Sequence, residues 1–153
     1  MSSGKPIQFH KAAKRHFLDA NLLLSHKRLA NAAQLYGFCA ECGIKALLIW
    51  HGLPETDTGD IDTKNNNKKS HKFRKHVHEL VAHIHLVENF LQGRNGAKYL
   101  ALISKINNFS NWHTEHRYYD ETYLPTASFP RYQDAAQEIM TMLDQAVLDG
   151  VTI

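Results

Sequence analysis

Cysteine is scarce in this chain: among 153 residues only Cys39 and Cys42 occur, spaced C-x-x-C in the run FCAECGIKA. One such pair cannot supply the four ligands of a structural zinc site. Redox pairs of this spacing open a helix that follows a strand, where the helix dipole lowers a thiol pKa. This pair instead falls inside a long helical pattern. Packing of two small side chains is the expected role, with a redox pair or half a zinc site as the alternatives. Long apolar runs are also missing. No stretch is expected to reach the roughly 18 to 20 residues of a membrane span, and the polar start MSSGKPIQFHKAAKRH has no secretory apolar segment. A cytoplasmic protein is expected. Acidic residues are few in two places: residues 1–40 hold six Lys and Arg against Asp19 alone, and Lys64–His76 adds six more with no acid. The formal net charge is only +3, so the asymmetry either serves a phosphate-bearing partner or belongs to a solvated surface and a basic loop.

Histidine, by contrast, is abundant, and the run HVHELVAHIH places His76, His78, His83 and His85 within ten positions. The metalloprotease motif H-E-x-x-H needs two imidazoles four residues apart on one helical face. Here His78-Glu79 is followed by His83, five residues on, which turns the second ring roughly 140° away on a continuous helix. No pair within this run is three or four apart, so no metal site is expected. His76, Glu79 and His83 lie along one edge of an apolar stripe and are candidates to face a shared pocket.

Hydrophobic periodicity predicts helices. Phe9, Ala12, Ala13, Phe17, Ala20, Leu23 and Leu24 form one face of a first helix. RLANAAQLYGFCAECGIKALLIWHG carries two apolar faces, which places a second helix at the centre of a bundle, ended by Gly52 and Pro54. Residues 53–70 are polar and aperiodic and read as a mobile loop. Phe73, Val77, Leu80, Ile84, Val87 and Leu91 predict a third helix over 71–91. Tyr99, Leu100, Ile103 and Ile106 predict a fourth from Ala97 toward Arg117, and a fifth runs from Tyr132 to Gly150. With no strand pattern and no repeats, the expected fold is all-α: one domain over 1–153, an antiparallel four- to five-helix up-and-down bundle.

Two polar groups within that bundle need an account. Glu41 and Lys45, four apart on the central helix, are either an exposed i to i+4 pair worth about 0.3–0.5 kcal/mol or the floor of a polar pocket. In FSNWHTEHRYYDE, His113 and Arg117 share a face if the fourth helix persists, with Trp112, Tyr118 and Tyr119 around them. They either grip a phosphate and a base, or cap the core with Arg117 paired to Glu41 or Glu79.

The ordered set HFLDANLLL, NAAQLYGFCAECGIKALLI, HEL, W-x-x-x-x-R-Y and RYQDAAQEI resembles the HEPN domain, a nucleotide-binding helical bundle. The resemblance maps the family's Glu and Lys onto Glu41 and Lys45, its H-D/E-L element onto His78-Glu79-Leu80, and its Arg-Tyr pair onto Arg117-Tyr118. It implies a nucleotide- or RNA-binding accessory module with no cofactor, a homodimer, and a nucleotidyltransferase as partner. Glu41, Lys45, His78, Glu79, Arg117 and Tyr118 would be its binding residues. Many HEPN proteins of the toxin and defence type are metal-independent ribonucleases with an R-x(4–6)-H motif. None of the eleven histidines has an Arg at that spacing, so the ribonuclease reading needs a non-standard site of His113, His116 and Arg117. A non-enzymatic helical scaffold is the third alternative.

Overall fold

The computed structural model describes residues 4–64 and 68–151. Its helices are α1 (Phe9–Ser25), α2 (Leu29–Trp50), α3 (Val77–Ala82), α4 (Ile84–Gln92) and α5 (Phe129–Leu148), joined in part by short 3-10 turns. Among the described residues there is no strand, only one isolated antiparallel bridge between Glu55 and Ile61. The fold is an all-helical bundle.

α1 and α2 form a tight helical hairpin. Lys27 takes a left-handed conformation (φ 59°), and the Arg28 N–H donates to the Leu23 carbonyl at 2.8 Å, which turns the chain back on itself. Apolar residues around most of α2 put it at the centre, with α1 and α5 packed along it. Sixteen of its 22 residues are buried. By length and mean hydropathy α2 would in fact suffice to cross a membrane, contrary to the expectation of no such run, but 89% of its apolar window is covered by the rest of the bundle. Two glycines make close packing there feasible. A Cβ at Gly43 would overlap Ile139 of α5, and one at Gly37 would overlap the indole of Trp112.

The expected third helix is shorter and broken. α3 begins at Val77, not 71, and the chain leaves helical geometry at His83 (φ −119°, ψ 31°) before α4 begins. Phe73 shows why the stripe misled. It packs edge-on against Phe90 with ring centroids 5.6 Å apart, whereas a straight helix would carry residues 17 positions apart to about 25 Å. The preceding segment therefore folds back onto α4.

The expected fourth helix does not form as an α-helix. Residues 97–118 instead run through 3-10 turns at Ala97–Ile103, Ile106–Phe109 and Thr114–Tyr118. Ile103, Ile106, Phe109 and Trp112 are buried at intervals of three, the period of a 3-10 helix rather than of an α-helix. Short polar side chains reinforce the choice by bonding toward α5. Asn108 donates to the Arg131 carbonyl at 3.0 Å, Asn111 bonds both Ser128 and Tyr132, and the Lys105 N–H donates to Glu138 at 2.8 Å.

Of the polar loop expected over 53–70, residues 65–67 lie outside the described residues. The stretch 53–64 is packed rather than free of structure, because it carries two apolar anchors, Leu53 and Ile61, both buried. The Ile7 N–H donates to the Thr58 carbonyl at 2.9 Å, which ties this loop to the segment preceding α1.

Candidate functional site

The i to i+4 spacing on α2 puts the Lys45 ammonium 3.0 Å from Glu41 Oε2. Both residues are buried, with Glu41 7% and Lys45 6% exposed, so the pair is not the exposed-edge pair that spacing alone permits. The other carboxylate oxygen lies 2.9 Å from Nδ1 of His76, the residue that precedes α3. A carboxylate only accepts, so Nδ1 carries the proton in this contact. Glu41 thus holds two groups at once, and its desolvation is offset by both. The Lys45 ammonium also lies 5.6 Å from the centre of the Phe9 ring.

Lys45 and His76 open onto a cavity of about 450 Å³, bounded further by Ile7, Phe9, Asp60, Arg74, Lys75 and Glu79. Arg74 is paired with Asp60 at 2.9 Å. With Lys45 also paired, Lys75 is the cavity cation for which no ion pair is recorded among the described residues. With Glu41 counted, the ionic side chains around the cavity balance, Lys45, Arg74 and Lys75 against Glu41, Asp60 and Glu79. Of the three residues expected to share a pocket, His76 and Glu79 line this one. His83 does not, because the helix breaks at it and its ring lies by His85, 6.3 Å away.

His78 points elsewhere. Its ring centroid is 4.3 Å from that of His113 and 6.1 Å from that of Trp112. Its Nδ1 is buried without a hydrogen-bond partner. The position of His113 is set from α2. Trp112 Nε1 donates to the Ala33 carbonyl at 3.1 Å, its indole fills the space left by Gly37, and the Gln34 side chain donates to the His113 carbonyl at 2.8 Å. His113 itself caps the turn Thr114–Tyr118, its Nδ1 accepting from the Glu115 N–H at 3.2 Å. His116 follows at 6.1 Å from His113, and Tyr119 at 5.1 Å from His116. Burial, followed by the neighbouring charge of His113, holds His78 and His116 below the ordinary histidine pKa.

Arg117 and Tyr118 do not join the cavity. Because Thr114–Tyr118 is a 3-10 turn and His113 is extended before it, His113 and Arg117 do not share a helical face. The guanidinium stacks over Tyr118 at 4.8 Å, both groups are on the surface, and Arg117 pairs with neither Glu41 nor Glu79. The expected set therefore divides. Lys45 and Glu79 line the cavity, with Glu41 bonded behind Lys45 and His76; His78, His113 and His116 form a row of rings beside it, and Arg117 with Tyr118 stands at the outer end of that row. Arg74, Lys75 and Asp60 were missed as cavity residues. The signal for the two cations was the basic run before His76, whose last residues fall at the start of the expected third helix, and nothing in the sequence pointed to Asp60.

Cys39 and Cys42 are free and buried, and burial pushes both thiols up, Cys42 to about 12. They are poor nucleophiles and serve as packing. Among the described residues no cluster of three or more His, Cys, Asp or Glu is arranged to hold a metal ion. Searches against protein-family models, curated proteins and solved structures return no match for this chain.

Proposed function

We propose that the chain is a HEPN-like nucleotide- or RNA-binding accessory module whose ligand phosphate enters the cavity above Glu41 and Lys45. The observation that carries this reading is the buried Glu41–Lys45 pair with His76 at the wall of a 450 Å³ cavity. A buried ion pair adds little net stability over apolar packing, so its position against open volume favours a role in recognition. Lys75 would meet the phosphate directly beside His76, while Lys45 would share its charge between Glu41 and the ligand. The family resemblance extends the proposal to a homodimer and a nucleotidyltransferase partner.

The test is titration of a fluorescent adenine nucleotide into the protein. Binding should weaken by about 1.5–3 kcal/mol in Lys75→Ala, the scale of a charge-assisted hydrogen bond. No saturable binding at millimolar nucleotide, or binding indifferent to Lys75, would sink the proposal.

One observation favours a second reading, metal-independent ribonuclease. His78 and His113 are in ring contact with His116 alongside, and two of these imidazoles are held below the ordinary pKa, so they are neutral bases near pH 7. In this reading one imidazole would take the proton of an RNA 2'-hydroxyl as its oxygen attacks the adjacent phosphorus. That same proton, carried on the imidazolium so formed, would then pass to the leaving 5'-oxygen, which restores the neutral ring. Cleavage in chelator that survives a His113→Ala, His116→Ala double replacement would remove both from the mechanism.

A further inference from the structure

Between the cavity and the outermost tyrosines, side-chain rings follow one another without a gap. His76 and His78 lie 6.5 Å apart and within 16° of parallel, then His113 follows at 4.3 Å, His116 at 6.1 Å and Tyr119 at 5.1 Å. The row starts at a residue of the cavity wall. It ends where Tyr119 is 45% exposed, Tyr118 is 74% exposed, and Arg117 lies over the Tyr118 ring. Two large aromatic rings standing this far into solvent beside a stacked guanidinium offer apolar surface to a ligand. Exposed rings at one end of a row whose other end holds Lys75 and His76 suit a flexible polyanion with planar side groups: a phosphate goes to the cation, and a base stacks on an exposed ring face.

We propose that this row is a binding track for single-stranded nucleic acid of roughly three to four nucleotides, with one phosphate seated at Lys75 and His76 and a terminal base stacked on Tyr118 or Tyr119. The track rests on the cavity reading above and deepens it, because it names the ligand as a strand rather than a mononucleotide. A duplex is excluded as the ligand, since its bases already stack on one another and cannot reach the rings.

The experiment is fluorescence anisotropy with a mononucleotide, a single-stranded hexamer as RNA and as DNA, and the same hexamer sequence in a duplex. Wild-type protein should bind the hexamer at least tenfold more tightly than the mononucleotide and favour single strand over duplex. Replacing Tyr118→Ala and Tyr119→Ala together should weaken the hexamer by about tenfold or more and leave the mononucleotide unchanged. The paired Phe replacements, which keep the rings, should restore it. Both tyrosines are exposed, and circular dichroism of the double variant checks that the helices persist. A gain restricted to RNA would narrow the ligand to RNA; an equal gain with DNA would support strand recognition without regard to sugar. A hexamer no tighter than the mononucleotide, or one indifferent to the double Ala variant, would overturn the track and leave the cavity reading standing. Failure of wild-type protein to bind either ligand would overturn both.

Discussion

The cavity and the ring row lie side by side, yet they are built by different means. Glu41 and Lys45 are one turn apart on a 22-residue helix, so backbone geometry alone brings them together and burial then gives the pair its consequence. The ring row has no such local support. His78 and His113 are 35 residues apart, and they meet because Trp112 is seated on Gly37 and Gln34 holds the His113 carbonyl. One region is charged and held by a helix; the other is aromatic and held by an anchored indole and one side-chain hydrogen bond. The contrast teaches that a site element written at helical spacing survives in the fold, whereas one assembled across the bundle depends on a few packing contacts.

The strongest way to break this comparison is to disturb the charged floor. Glu41→Ala leaves the Lys45 ammonium buried without its partner, and a loss of about 3–5 kcal/mol is expected in urea denaturation. The double replacement Glu41→Leu, Lys45→Met should regain most of that loss while eliminating nucleotide binding. A loss below about 1 kcal/mol for Glu41→Ala would mean that water reaches the pair and that its burial has little energetic weight.

The anchor of the ring row comes next. Gly37→Ala forces a methyl group into the Trp112 indole, an overpacking expected to cost about 1–3 kcal/mol. Its telling effect is spatial. Displacement of Trp112 should shift the His113 and His116 imidazole resonances in NMR while those of His76 stay in place. Equal perturbation of all three would show that the two regions are one unit.

The smallest effect is on pH dependence. His78 and His116 have folded pKa values depressed by burial first and by His113 second, so the unfolded chain takes up their protons before the folded one does. Stability is then fully present above about pH 6.5 and is lost as pH falls through the depressed folded values. His10 and His16 are depressed by burial as well and add to the same trend. Tm measured between pH 7.5 and 5 should fall, and the His78→Gln variant should fall less steeply. Parallel slopes for wild type and variant would show that His78 does not titrate between the two states.

The long helices were legible because their apolar residues recur at three and four with clean ends. α1 and α5 match their patterns to within about three residues, and α2 betrays its central position by being apolar on two faces. The third and fourth helices were not legible in the same way. Phe73 fits the helical stripe by spacing but owes its burial to Phe90, a contact that only the folded chain reveals. Ile103, Ile106, Phe109 and Trp112 do carry a signal, the strict interval of three, but periodicity of that kind is easily absorbed into a 3.6-residue reading. For the site, Glu41, Lys45 and Glu79 were found at helical spacing and by resemblance. The grouping of Arg117 with them failed because it assumed a continuous fourth helix. Asp60, Arg74 and Lys75 gain their place only from the way the 53–64 loop and the segment before α3 close over Phe9 and Ile7.

The central position of α2 also sets a schedule. Its partner α5 lies roughly a hundred residues further along the chain, so at about 5–20 residues per second a growing chain waits roughly 5–20 s between completing α2 and completing the helix that covers it. α1 can shield one side at once through the tight hairpin. The side bearing Gly43, which is closed by Ile139 and Leu143, stays bare until late in synthesis. A helix with the length and hydropathy of a membrane span is thus presented to the cell during that interval, and the nascent chain, rather than the finished bundle, is where a chaperone would find its strongest foothold.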